Sequence, residues 1–197
     1  MEQILAPSTC PSCESNLEFI NEILYCFNKM CPAQWDKKLE NFAKHLKIKG
    51  LGPATINKLE ILDYPELYEL TVRETTVRLG SEKMAKKLVN EIEKSNSTDL
   101  QTLLPAFSIP LFGRTASRKL CEKISSIEDV STQSCTEAGL GPKATANLVA
   151  WLETEFYPNR YNELLPFSFK SKKIIKRETV GTVCITGRLK SFPSKAH

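Results

Sequence analysis

Four cysteines stand close together near the N-terminus, Cys10, Cys13, Cys26 and Cys31, in the stretch CPSCESNLEFINEILYCFNKMCPAQ. A thiol can act as a nucleophile, as half of a disulfide or as a metal ligand. The spacing here is C-x2-C, twelve residues, then C-x4-C. Two close pairs, each on a tight turn, can face one another around a single ion, which is the pattern of a structural zinc site. Four thiolates close a tetrahedron and leave no position for water, so the Zn2+ they imply is structural rather than catalytic. Two disulfides, or four unrelated thiols, are the competing readings. The intervening ESNLEFINEILY supplies Leu17, Phe19, Ile20, Ile23 and Leu24 for a hairpin or miniature core over the metal.

The rest of the composition sets the context. The start, MEQILAPSTC, has no basic segment followed by an apolar run, and nothing approaches the ~18 consecutive apolar residues of a membrane span. A cytoplasmic location, nucleoid-associated or in a host cytoplasm, is expected, with no membrane partner. In that compartment thiols stay reduced, and a cysteine cluster more often means metal than disulfides. Cys121 and Cys184 sit in apolar patterns and are expected in the core, whereas Cys135, in a Ser/Thr-rich stretch, is expected to be exposed. A net charge of +4 permits a nucleic-acid partner without arguing for one.

The elements that follow the cysteines read as mostly helical from 46 to 166 and carry a weak internal repeat. KGLGPATINKL, RLGSEKMAKKL, PLFGRTASRKL and AGLGPKATANL can be stacked on Gly52, Ser81, Gly113 and Gly141, separated by 29, 32 and 28 residues. Seven residues after each stands a leucine: Leu59, Leu88, Leu120 and Leu148. A period of about 30 residues with a fixed turn and a fixed helix anchor suggests one helix-turn-helix unit used four times. In the GLG turns both glycines can take φ > 0, and the central Leu51 or Leu140 can plug inward. Backbone N–H groups of the turn and of the next helix then point outward together, at the positive end of the helix dipole. Such a place suits an anion such as phosphate. Pro53 and Pro142 suit a first helical turn, where no N–H is needed.

This is the helix-hairpin-helix pattern, which grips the sugar-phosphate backbone of DNA without reading bases. Ordinary helical hairpins with a glycine in the turn are the competing reading. The candidate DNA-contacting residues are Gly50, Gly52, Gly80, Lys83, Gly113, Arg114, Gly139, Gly141 and Lys143. Lys58, Arg118 and Lys119 are further cations just past turns, each also readable as a solvated side chain. In the second copy Gly50 and Gly52 correspond to Leu79 and Ser81, with Gly80 between, so weak phosphate binding is expected there. The third copy keeps only Gly113.

In this order, the cysteine site and the four hairpins resemble the C-terminal half of NAD+-dependent DNA ligases. CPSC…C…CPAQ is similar to the ligase zinc finger, and IKGLGPATINKL to the segment after it. YPELYELT and EKMAKKLVNEIEKS resemble the second hairpin, IPLFGRTASRKL the third, and AGLGPKATANLVAWL…NRYNELLPF the fourth. After the basic KSKKIIKRE, TVCITGRL resembles the first strand and turn of a BRCT domain, with Thr186 and Gly187 in its Thr-Gly turn. The expected fold is mainly α: a small four-cysteine zinc finger over 1–36, a tandem helix-hairpin-helix domain over 37–168, a basic linker over 169–178 and an incomplete BRCT-like start over 179–197 with a short β segment.

The resemblance implies a whole enzyme that seals 3′-hydroxyl/5′-phosphate nicks in replication and repair, through an adenylated lysine and an adenylated DNA end, using NAD+ and Mg2+. The family places its AMP-accepting lysine in a Lys-x-Asp-Gly motif, and this sequence has no Asp-Gly dipeptide. No catalytic residue is therefore expected here, and NAD+ and Mg2+ are expected only in the complete ligase. The expected role is a non-catalytic part or subunit that clamps nicked double-stranded DNA irrespective of sequence. A partner chain, or a missing N-terminal half, would carry the nucleotidyltransferase and OB-fold domains. The rival is a stand-alone zinc/helix-hairpin-helix accessory of repair or recombination. A nuclease finds no support, since there is no acidic cluster of metal-binding spacing and only two histidines, His45 and His197.

Overall fold

The structure, a computed structural model, describes residues 6–28 and 31–171. Two strands, β1 (Leu17–Ile20) and β2 (Ile23–Cys26), form an antiparallel hairpin with Leu17 opposite Cys26 and Ile20 opposite Ile23. Asn21 and Glu22 both take positive φ, the two-residue turn whose twist matches that of the strands. Helices follow in the order α1 (Pro32–Leu46), α2 (Pro53–Leu59), α3 (Tyr64–Glu69), α4 (Val72–Leu79), α5 (Glu82–Ser95), α6 (Leu100–Ala106), α7 (Arg114–Cys121), α8 (Thr132–Glu137), α9 (Pro142–Trp151) and α10 (Tyr161–Leu164). A turn of π-helix, Leu152–Phe156, extends α9.

Local sequence explains the helix starts. Thr71 and Glu74 form a reciprocal capping box for α4, Asp99 caps α6 through the Thr102 amide at 2.9 Å, and Ser131 caps α8. Prolines occupy the first turn of α1, α2 and α9, where a missing N–H costs nothing. The α1–α2, α4–α5, α6–α7 and α8–α9 neighbours each make a helix–turn–helix pair whose members pack on one another. Gly52, Ser81, Gly113 and Gly141 are the N-caps of α2, α5, α7 and α9. Leu59, Leu88, Leu120 and Leu148, the anchors of the repeat, are all buried.

Aromatic side chains hold the pairs together. Phe42 of α1 meets Tyr64 of α3 at 4.6 Å between ring centroids, Tyr64 meets Phe107 at 5.2 Å, and Phe107 meets Trp151 of α9 at 4.9 Å. Asn41 of α1 donates to the Ala106 carbonyl at 3.1 Å and to Ser108 Oγ at 2.8 Å, and Tyr161 donates to Asp63 at 2.7 Å. These bonds satisfy polar groups inside the aromatic layer, where an unmade bond would be costly.

Two expectations need correction. Cys135 is fully buried, not exposed. Its Ser/Thr-rich surroundings form the cap of α8 rather than a loop, and that helix turns the thiol toward α9. Of the two alternatives for the stretch between the cysteine pairs, the hairpin is the one that forms, with Phe19 62% and Ile23 56% exposed. Among the described residues no second layer covers these two four-residue strands. Phe169, placed in a linker by sequence, is buried, its carbonyl accepting from the Ile127 amide at 2.9 Å, and Ser171 donates to the Cys121 carbonyl at 2.6 Å. Cys121 is buried as expected. Cys184, the basic run from 172 onward and the BRCT-like start with Thr186 and Gly187 lie outside the described residues.

Candidate metal centre and anion-binding turns

The two ends of the cysteine pattern are positioned differently. Cys10 opens a tight turn in which its amide donates to the Ser15 carbonyl and its carbonyl accepts from the Glu14 amide, both at 2.8 Å. That turn carries Cys13 round to face the hairpin. Cys26 ends β2, and Cys31 is the N-cap of α1, its carbonyl accepting from the Gln34 and Trp35 amides at 3.0 and 3.1 Å. The boundary drawn at residue 36 therefore falls inside a helix, and one residue serves both the cysteine cluster and the first long helix.

The four sulfurs lie within 4.8 Å of one another. Cys10 Sγ is 3.9 Å from Cys31 Sγ, and Cys13 Sγ is 3.6 Å from Cys26 Sγ. A tetrahedron with zinc–sulfur bonds of ~2.3 Å has edges of about 3.8 Å, so these spacings fit one zinc ion and are far from a disulfide bond. All four thiols are free. Hydrogen bonding from Ser15, side chain and then backbone, lowers the Cys13 thiol to about 6. The Asn28 backbone pulls Cys26 down, but burial and the neighbouring Cys13 and Cys10 outweigh it and bring Cys26 to about 11. Gln34 donates its side-chain amide to the Cys26 carbonyl, fixing β2 against α1. That orienting contact of the metal centre was not visible in the spacing of the cysteines.

The turns divide into two kinds. In three of them a left-handed residue is followed by an inward apolar plug and then by the N-cap glycine. They are Gly50-Leu51-Gly52, Leu111-Phe112-Gly113 and Gly139-Leu140-Gly141, with φ of 91°, 61° and 69° at the first residue. Leu51 and Phe112 are buried and Leu140 is partly so. Only the first residue has positive φ. Gly52, Gly113 and Gly141 are extended, at φ −97°, −100° and −70°, and a Cβ on any of them meets nothing within 4 Å. The left-handed requirement expected of both glycines in each GLG turn thus belongs to one, and the second keeps the helix start bare.

That bareness is chemical. α2, α7 and α9 have no side-chain cap, which leaves first-turn amides open to donate outward at α7 and α9. At α2, Pro53 has no N–H and the Thr55 amide already donates to the Gly52 carbonyl at 2.9 Å, so that start offers fewer. At α5 the left-handed Gly80 leads directly to Ser81, whose hydroxyl accepts from the Met84 amide at 3.4 Å. Glu82 stands in the same first turn, paired with Lys86 at 2.6 Å. An anion at α5 meets a filled amide and a carboxylate, even with Lys83 exposed beside it.

Two grooves bring turns together. One, of about 400 Å³, is lined by Lys49, Gly50, Leu79, Met84, Lys87 and Leu88, joining the first turn to α5. The other, of about 540 Å³, is lined by Leu111, Gly113, Arg114, Lys119, Gly139 and Gly141, joining the third and fourth turns. Lys143 is exposed in the first turn of α9. Sequence reasoning passed over Leu111. Its signal was present, since Leu111 stacks on Gly50 when the repeats are superposed.

The arrangement defines a mainly helical protein with a four-cysteine centre at its N-terminal end. No protein-family model matches the chain. Over most of its length, however, the chain is homologous to DNA ligases. It is 32% identical over 166 residues to the DNA ligase of Leuconostoc mesenteroides subsp. mesenteroides, covering 78% of this chain and 24% of that protein. It is 28% identical over 211 aligned positions to DNA ligase 2 of Clostridium acetobutylicum, covering 98% of this chain and 32% of that one. The chain thus spans a quarter to a third of the length of these relatives. Among the described residues no helix is long and apolar enough to cross a membrane.

Proposed function

We propose that this chain is the non-catalytic, DNA-gripping part of an NAD+-dependent DNA ligase, as a segment of a longer chain or as a separate subunit. The observation that carries this is the set of three glycine-capped helix starts, at α2, α7 and α9, with no side-chain acceptor on their first-turn amides. Each helix–turn–helix pair is read as a helix-hairpin-helix unit. Free amides and the positive end of a helix hold a phosphate oxygen without touching a base. Lys49, Arg114, Lys119 and Lys143 supply the diffuse charge. The relatives named above are DNA ligases, and a nicked duplex is the substrate that such a grip serves.

The division of labour follows from what the chain contains. It has no Asp-Gly dipeptide and so no Lys-x-Asp-Gly motif to accept AMP. Adenylate transfer, NAD+ and Mg2+ belong to nucleotidyltransferase and OB-fold parts outside it. Clamping the duplex aligns the two ends of the nick, and alignment alone lowers the barrier to their joining. Zinc, held by Cys10, Cys13, Cys26 and Cys31, supplies a cross-link and no reaction step. Through Cys31 it fixes the hairpin to α1. A cytoplasmic setting, with reduced thiols, fits this role.

The test is a paired assay with a chain carrying the nucleotidyltransferase and OB-fold parts. Adding this chain should raise nick sealing and leave self-adenylation of the partner nearly unchanged, since that step involves no DNA. The chain alone should take up no label from adenylate-labelled NAD+. Duplex binding without any stimulation of sealing would favour a stand-alone DNA-binding accessory instead.

A further inference from the structure

Among the described helix-start turns, the one at Leu111 departs from the least strained chemistry. Leu111 is the third residue of a β-turn, Ile109 to Phe112, closed by the Phe112 amide on the Ile109 carbonyl at 3.1 Å. Pro110 sits second, where proline is favoured, and the third position has φ of 61°, where glycine or asparagine is favoured. The equivalent residues of the other glycine-capped turns are Gly50 and Gly139. Leu111 therefore carries backbone strain, and it is also 69% exposed, so its side chain recovers nothing by burial. The turn is held in place, because Asn147 of α9 donates to the Pro110 carbonyl at 2.9 Å. Leu111 lines the groove between the third and fourth turns, with Arg114 and Lys119 on one side and Gly139 and Gly141 on the other.

We propose that Leu111 is an apolar wedge that enters the DNA minor groove between the phosphates held by the third and fourth turns, and that it favours a nicked duplex over a continuous one. This rests on the DNA-gripping reading above. Two sets of phosphate donors facing each other across a groove match the two strands bordering a minor groove. That groove is only ~6 Å wide, room for one side chain and not for a helix. Leucine is among the side chains that part base steps from that side. Parting a step costs stacking, and it costs least where one strand has already lost its backbone link.

The experiment uses the whole chain and two duplexes of one sequence, one nicked and one continuous, with 2-aminopurine beside the nick position. Binding is measured at several salt concentrations for the native chain, Leu111→Gly, Leu111→Ala and the Arg114→Ala/Lys119→Ala pair. Leu111→Gly should raise the melting temperature, because glycine relieves the left-handed residue. The same change should weaken binding to the nicked duplex by roughly ten- to a hundredfold, the worth of burying one leucine. Leu111→Ala should weaken it similarly. Neither should alter the slope of affinity against salt, since no phosphate contact is lost. The rise in 2-aminopurine fluorescence on binding should vanish with both. The Arg114/Lys119 pair should flatten the salt slope instead. If both leucine variants bind and unstack the nicked duplex as the native chain does, while the Arg114/Lys119 pair weakens binding, the wedge is wrong and the grip stands. If the native chain binds neither duplex, the DNA-gripping reading itself has failed.

Discussion

The finger and the helical body solve opposite problems with the same kinds of residue. In the finger the thiols face one another and the apolar side chains of the hairpin, Phe19, Ile20, Ile23, Tyr25 and Phe27, face out. In the body the apolar side chains face in, and two cysteines, Cys121 and Cys135, are merely small core residues among them. The finger has few residues with which to remove its apolar surface from water, and its four-cysteine cluster is consistent with a structural metal that would supply stability instead. The body stacks helix pairs on one aromatic layer. What differs is the layer available on the other side.

The largest expected effect falls on the metal. Cys31→Ser, or a strong chelator, removes binding worth on the order of 10 kcal/mol and leaves residues 6–28 unfolded. Cys31 is also the N-cap residue of α1, where it makes no side-chain cap bond and a serine is a good cap, so with Cys31→Ser the body, α1 included, should keep its helical circular dichroism. Limited proteolysis should cut between 14 and 28 before anywhere in the body, and metal analysis of the native chain should find one zinc. Freshly prepared protein with no zinc and its finger cysteines oxidised would sink this half of the comparison.

Next comes the aromatic layer. Phe107→Ala should cost ~3–5 kcal/mol in the body and leave zinc content unchanged. Phe19→Ser, on the exposed hairpin, should shift the denaturation midpoint by no more than ~0.5 kcal/mol. Equal losses from the two changes would mean that the hairpin is covered in solution.

Alkali should separate the regions in a third way. Burial raises the phenol of Tyr64, with Glu155 and Asp63 adding to it. Burial likewise raises Tyr68, and Tyr161 is raised by burial and then by Asp63. Unfolded tyrosines release protons near pH ~10, these do not, and the unfolded chain then binds fewer protons than the native one. Stability of the body should therefore be full below pH ~10 and fall as pH rises above it, by at most about 1.4 kcal/mol per pH unit for each tyrosine. Melting temperatures between pH 9 and 11 measure this. Tyr64→Phe should remove part of the slope at little cost, because the buried Tyr64 hydroxyl has no hydrogen-bond partner among the described residues.

The turns give the smallest changes in stability and a sharp contrast in binding. Gly139→Ala puts a Cβ on a left-handed residue and should cost ~1–2 kcal/mol. Gly141→Ser, two residues on, should instead gain a few tenths of a kcal/mol by capping α9. Yet the serine fills the amide that a phosphate would take, as Ser81 does at α5, so duplex affinity should fall. Thermal melting and a DNA titration on the same two variants separate the effects. A Gly141→Ser protein that binds duplex as well as the native chain would remove α9 from the interface.

Much of this was legible in the residues. The spacing of Cys10, Cys13, Cys26 and Cys31 was enough to bring four sulfurs together, because ligand pairs on tight turns are local objects. The repeat at Gly52, Ser81, Gly113 and Gly141 marked four helix starts for the same reason, since a cap is decided by its own residue and the next three. Burial of Leu59, Leu88, Leu120 and Leu148 followed from their fixed distance to those caps. What lay outside local chemistry depended on which layer packs where. The stretch with Phe19 and Ile23 left hairpin and miniature core open and Cys135 looked like surface, yet among the described residues nothing covers Phe19 and Ile23, and α8 lies against α9. Phe169 looked like the start of a linker until the chain returned beside Ile127. Which glycine of each GLG is left-handed, and that Leu111 occupies the same place in the third turn, emerged only when the turns closed over Leu51, Phe112 and Leu140. A side chain's type is written in the sequence, but its burial and its backbone strain belong to the neighbours that the fold brings to it.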